Sequence, residues 1–179
     1  MSDATEMPVF DGGVSLRPST QEDIDYVEAN FRPGEMRERE LADAEGVRTL
    51  LGDHEQCWTV VAANGDVLGY LGTLVLPDES VMSRTRGLSY MSCTNVDRHV
   101  LSFVKATAPA LAWLVERCPP WVDTFRAWPA ASFERSVVWQ KRILRMREVG
   151  RVPVKDDFLV ILETTRGEVR RLVKGKESV

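Results

Sequence analysis

The chain has 179 residues, of which 44% are hydrophobic and 28% charged, and its formal net charge is -4 with a pI near 5.3. That length and apolar content suffice for one core, and the near-neutral balance excludes the basic footprint of bulk nucleic-acid binding. No apolar run reaches the length of a membrane span, and the acidic start MSDATEM lacks the basic region of a signal peptide, so a cytoplasmic protein is expected. Cys57, Cys93 and Cys118 are odd in number and form no CxxC pair. Free thiols are therefore expected, with neither a disulfide framework nor a metal site.

MSDATEMPVFDGG, residues 1–13, reads as a loose polar arm. VSLRPST is a short strand ended by Pro18, followed by Ser19 or Thr20 as cap of a helix in QEDIDYVEANF, where Ile24, Val27 and Phe31 form one apolar stripe. Pro33 suits the first position of a second helix, PGEMRERELADAEG, whose crowded Glu and Arg read as a solvated face. CWTVVAA and VLGYLGTLVL are strands around NGD, and Asn64-Gly65 predicts a type I′ hairpin with positive φ at both centres.

GLSYMSC is a further strand. From His99 to Arg117 the apolar positions Val100, Phe103, Val104, Leu111, Leu114 and Val115 recur at helical spacing, and Pro109 inside that run predicts a bend or break between Lys105 and Pro109. WVDTFRA reads as a strand and SFERSVVWQKRILRM as a helix capped by Ser132. REVGRVPV and FLVILETT pair antiparallel, and RGEVRRLVKGKESV, residues 166–179, reads as a basic polar tail that frays.

The order β-α-α-β-β-β-α-β-α-β-β implies an α/β domain over residues 14–165, with a mixed, mostly antiparallel sheet and helices on both faces. With the opening VSLRPSTQEDIDYV, it resembles the GNAT superfamily of N-acetyltransferases. The stretch from GLSYMSC to RIL is also similar to small GNAT-like proteins of tailed bacteriophages, including the internal virion protein A family of short-tailed phages. Thr94, Phe103, Lys105, Trp121, Trp139 and Arg142 carry that likeness.

The superfamily resemblance implies a pyrophosphate loop of the form R/Q-x-x-G-x-G/A between strand and helix. Glycines there let backbone N–H groups at a helix start approach phosphate oxygens. The corresponding window, NVDRHVLSF, has no glycine, and Asp97 brings a negative charge. Cys93, Thr94, Asp97, Arg98 and His99 are the candidate cofactor-binding residues. The resemblance also implies a tyrosine on the last large helix as acid to the departing thiolate, where this chain has Trp139. Tyr90, Glu79 and His99 are the candidate catalytic residues. Trp113 and Trp139 read as core or interface anchors, and no nucleophile elbow, Walker loop or zinc-protease motif occurs.

Two functions follow from the resemblance. In one, the fold is a catalytically degenerate scaffold without a cofactor, acting through contacts with other phage virion or host proteins in the host cytoplasm or the virion. In the other, the chain is an acetyl-CoA-dependent N-acetyltransferase of a host protein or small amine. The missing glycines and tyrosine weigh toward the first, because a fold does not by itself carry a function.

Overall fold

β1 (Ser15–Pro18), β2 (His54–Val61), β3 (Val67–Leu74), β4 (Thr85–Ser92), β5 (Thr124–Ala127), β6 (Arg147–Val154) and β7 (Asp157–Thr165) form one sheet in the order β1-β2-β3-β4-β5-β7-β6. They are seen in a computed structural model that describes residues 7–42, 54–76 and 82–174. All neighbours in that sheet are antiparallel except β4 and β5. The helices are α1 (Gln21–Ala29), α2 (Pro33–Ala42), α3 (Val100–Arg117), α4 (Glu134–Ile143) and α5 (Arg166–Lys174). The mixed sheet and the element order agree with the sequence reading.

Successive strand side chains point to opposite faces, and the core clusters follow that rule. Tyr70 packs with Val27 of α1, whereas Leu71 packs with Phe103, Ala106 and Leu114 of α3. A second core on the α3 side joins Leu111 and Val115 to Phe125, Leu162 and Val169. Helices thus cover both faces, as their apolar stripes require.

Thr20 caps α1: its hydroxyl accepts from the Asp23 N–H while the Asp23 carboxylate accepts from the Thr20 N–H, a reciprocal capping box. Pro18 ends β1 at the sheet edge, where its missing N–H costs little. Pro33 opens α2 as expected.

Five local readings need correction. The hairpin turn is at Asn64-Gly65, but only Gly65 has positive φ, at 90°. Gly65 N–H donates to the Ala62 carbonyl and Ala62 N–H to the Asp66 carbonyl, so the loop is a type I turn closed by a glycine bulge rather than type I′. Pro109 does not break α3, which runs unbroken from Val100 to Arg117. Ala106, Ala110, Leu111 and Leu114, buried on both sides of Pro109, hold the helix to the sheet; tertiary packing outweighs the local cost.

Ser132 does not cap α4. Phe133 holds that position without a side-chain bond, and the Ser132 hydroxyl donates instead to Asp157. Of the arm expected to be loose, residues 1–6 lie outside the described residues, and from Pro8 the chain folds back: Leu16 N–H donates to the Pro8 carbonyl, and Phe10 packs on the core. Gly12 and Gly13, at φ 86° and 75°, allow that reversal. The expected tail is a helix through Lys174. Glu168 accepts from the Thr165 N–H to cap it, Val169 is fully buried, and Arg166 donates to the carbonyls of Cys118, Pro119 and Val122. Its basic residues are the wet side of an amphipathic helix.

Candidate functional site

The site follows from the parallel pair. β4 and β5 are in register only from Thr85–Gly87 against Thr124–Arg126, after which β5 is paired to β7 through Ala127 and β4 continues to Ser92. The strands part, and a cavity of about 290 Å³ lies in and beyond the gap. Leu88, Ser89, Tyr90 and Met91 all line it. Four consecutive strand residues can do so only if it reaches both faces of the sheet along the edge of β4.

On the α3 side, three rings converge. Tyr90 lies 5.6 Å from Phe103 and 5.7 Å from Trp139, and Phe103 stacks on Trp139 at 6.2 Å. The buried Tyr90 hydroxyl, the Trp139 indole N–H and the Gln140 Oε1 make no hydrogen bond with any described residue. All three residues line the cavity, and buried polar atoms are ordinarily paired. Burial raises the Tyr90 phenol well above its ordinary pKa, so it holds its proton.

On the opposite side stands α2. Glu38 lines the cavity and accepts from the Ala130 N–H at 3.1 Å. Burial, then the charge of Glu35, raises its carboxyl to about 8 against the pull of Ala130 and Ser136. Gln140 Nε2 donates to the Ser136 hydroxyl at 3.2 Å, linking α4 to this carboxylate. Glu35, only 4% exposed, accepts from the Ser92 hydroxyl, and burial raises it to about 7. A carboxyl titrating near neutrality inside a cleft is suited to taking a proton.

Neither glutamate is among the sequence candidates. The run read as a solvated face in fact places Glu35, Glu38 and Leu41 at three-residue spacing on its inner side, while Met36 is 52% exposed. That carboxylates share a stripe with a leucine was the one available signal.

Of the sequence candidates, Tyr90 alone lines the cavity; Glu79 lies outside the described residues. Thr94–Arg98 form a single 3-10 turn between β4 and α3. The buried Cys93 thiol donates to the Val67 carbonyl at 3.1 Å, and Thr94, exposed, donates its N–H to the Asn30 carbonyl. Asp97 is exposed and pairs with Arg32 at 3.4 Å, while Arg98 donates to Asn95 Oδ1. His99 precedes α3 without capping it by its side chain; its Nε2 meets Asp66 Oδ2 at 2.9 Å. Of the residues that carried the phage likeness, Phe103 and Trp139 meet in the cavity wall, and Thr94, Lys105, Trp121 and Arg142 are exposed.

The cysteines are free. Among the described residues no acidic or thiol cluster suits a metal ion, and no helix is long and apolar enough to cross a membrane.

No family model matches the sequence, and no curated protein does. Solved structures do. Aminoglycoside acetyltransferase AAC(6')-Ib in complex with coenzyme A and kanamycin superposes with a TM-score of 0.60 at 17% identity, over 88% of this chain and 98% of that one. A putative acetyltransferase gives 0.64 at 16% identity, over 96% and 94%. The spermidine/spermine N-acetyltransferase SpeG from Vibrio cholerae gives 0.60 at 10% identity, over 88% and 98%. These likenesses support neither a phage origin nor a virion role, and at such identities they establish architecture alone. The chain has the GNAT acetyltransferase fold.

Proposed function

We propose that the protein is an acyl-CoA-dependent N-acyltransferase whose reaction takes place in the gap between β4 and β5. The observation that carries this reading is that a buried carboxyl, Glu38, raised to about 8, stands on one side of the gap and the Tyr90 phenol on the other, both lining one cavity. The same fold holds coenzyme A in the aminoglycoside enzyme named above.

The residues present fit such a ligand at its thioester end. Past Gly87 the edge of β4 faces a gap instead of β5, so its backbone groups are available to an extended amide-bearing arm. Trp139 and Gln140 add one donor and one acceptor that have no partner among the described residues. Acetyl-CoA, when bound, supplies the activated acyl carbonyl. Glu38 accepts the proton that an attacking ammonium must lose, and Tyr90 donates one toward the departing sulfur. Trp139 thus sits on the helix where the superfamily's tyrosine is expected, while Tyr90 supplies a phenol from β4.

The glycine-free junction favours a second reading, in which the fold is a non-catalytic scaffold, such as a component of a phage particle. Its electrostatic half is weakened, because Arg32 counters the charge of Asp97. Calorimetric titration with acetyl-CoA, followed by thiol release in the presence of kanamycin or spermidine as probe amines, separates the two. Micromolar binding with turnover supports the enzyme; absence of binding to the folded protein supports the scaffold.

A further inference from the structure

The lining of the cavity extends well beyond Tyr90 and Glu38. Phe103, Ala106, Ala110 and Leu114 line it from α3, a stripe that spans about 16 Å at ~1.5 Å per residue. Facing that stripe are Val60 of β2 and Leu71 of β3, which share a core cluster with it. Both strands lie on the far side of β4 from the gap, so the space continues past Tyr90 and beneath α3. Its walls there are mostly apolar, with Thr107 as the polar member that α3 contributes. Alanines at 106 and 110, 2% and 5% exposed, leave volume that a leucine would fill at an ordinary helix–sheet contact.

An apolar void is costly to maintain, and apolar cavities of about 150 Å³ take up small hydrocarbons. Glu38 belongs to the α2 side, and the polar groups on the α3 side are the Tyr90 hydroxyl, the Trp139 indole N–H, the Gln140 amide and the Thr107 hydroxyl. We infer that the limb beneath α3 is an acyl-chain pocket, so that the group transferred is an unbranched acyl chain longer than acetyl, in the range from butyryl to octanoyl. This rests on the acyltransferase reading. The chemistry balances as for acetyl transfer: the thioester C–S bond breaks, an amide C–N bond forms, the amine's proton passes to Glu38, and the sulfur takes a proton from Tyr90 and leaves as the thiol, Tyr90 being reprotonated from water as Glu38 releases its proton.

The test is calorimetric titration of the protein with acetyl-, butyryl-, hexanoyl- and octanoyl-CoA, and separately with hexanamide, which carries the chain without coenzyme A. Affinity is expected to rise by up to about fourfold per added methylene until the limb is full, and hexanamide is expected to bind. Ala110→Leu and Ala106→Leu are each expected to abolish the gain beyond butyryl. Flat or falling affinity along the series overturns the pocket and leaves the acyltransferase reading standing. Hexanamide binding that Ala110→Leu removes, without binding of any acyl-CoA, overturns that reading and keeps the pocket. Failure of every ligand to bind overturns both, and unchanged hexanoyl affinity in folded Ala110→Leu overturns the pocket. If neither variant folds, the series on the unaltered chain decides.

Discussion

Glu38 Oε1 accepts a hydrogen bond from the backbone N–H of Ala130 at 3.1 Å, so a carboxylate of α2 is fixed to the segment that follows β5. This contact brings an acid from the start of the chain to the mouth opened by strands that lie far along it. Replacement by glutamine keeps the shape and removes the base. Glu38→Gln is expected to lower kcat by about 10²–10⁴, with affinity for the acyl donor changed less than threefold.

The same substitution has a second readout of opposite sign. The Glu38 carboxyl is raised from 4.5 to about 8 by burial and by Glu35, so the folded state keeps a proton that the unfolded chain has lost. Stability on this account declines as pH rises from about 4.5 to about 8. Glu38→Gln is expected to melt higher than the parent at pH 8 and equally at pH 4, while activity of the parent rises with pH through 8. A variant that melts lower at pH 8 would show that the carboxylate is a structural group.

Tyr90→Phe removes a hydroxyl that makes no hydrogen bond with any described residue. Loss of an unsatisfied buried group is neutral or stabilising, so the melting temperature is expected to hold or rise. Turnover is expected to fall about 10²-fold, most strongly for the acyl step measured in single turnovers. A clear fall in stability would mean that the hydroxyl is paired.

Gly34 tests the seat of α2. A Cβ there would lie 2.4 Å from the Phe133 ring, at the residue preceding α4. Gly34→Ala gains up to about 1 kcal/mol of helix propensity but must push α2 from α4, which costs about 1–3 kcal/mol. A modest loss of stability by urea denaturation is expected, accompanied by a larger loss of activity because Glu38 moves with the helix.

Asp23 anchors the opposite edge. Burial opposes its charge, yet hydrogen bonds from Arg17, Thr20 and Thr59 hold its carboxyl at about 2. The stability this provides is present above the unfolded value of 3.8 and is lost as pH falls toward 2, amounting to roughly 2 kcal/mol. Asp23→Asn is expected to destabilise the protein at pH 7 by about that much and to leave stability at pH 2 unchanged.

The legible parts were those dictated by neighbours in sequence. Pro33 at a helix start, Thr20 as cap and Asn64-Gly65 as turn are decided within a few residues. Apolar spacing found α3 as well. What failed was decided across space. Pro109 is tolerated because Ala106 and Leu114 are held by the sheet, and the tail becomes α5 because Arg166 finds three carbonyls near residue 120. Glu35 and Glu38 stand in a run of charges, and nothing local separates the side that packs against Ser92 and Ala130 from the side that faces water. Tyr90 could be placed on its strand but not assigned a face until Phe103 and Trp139 met it.

Thr85–Gly87 against Thr124–Arg126 is the seam between an antiparallel meander, β1 to β4, and a three-stranded unit, β5 to β7. Closing it requires the intervening segment with α3 to be in place first, and parallel pairings at such separation form slowly. The meander is therefore expected to fold before the seam closes. In the native protein the seam has three paired residues on each strand, and α3 spans it, packing Phe103 and Leu114 on the meander and Leu111 and Val115 on Phe125 and Leu162. Amide exchange at Arg86 and Phe125 is expected to report how readily that seam opens.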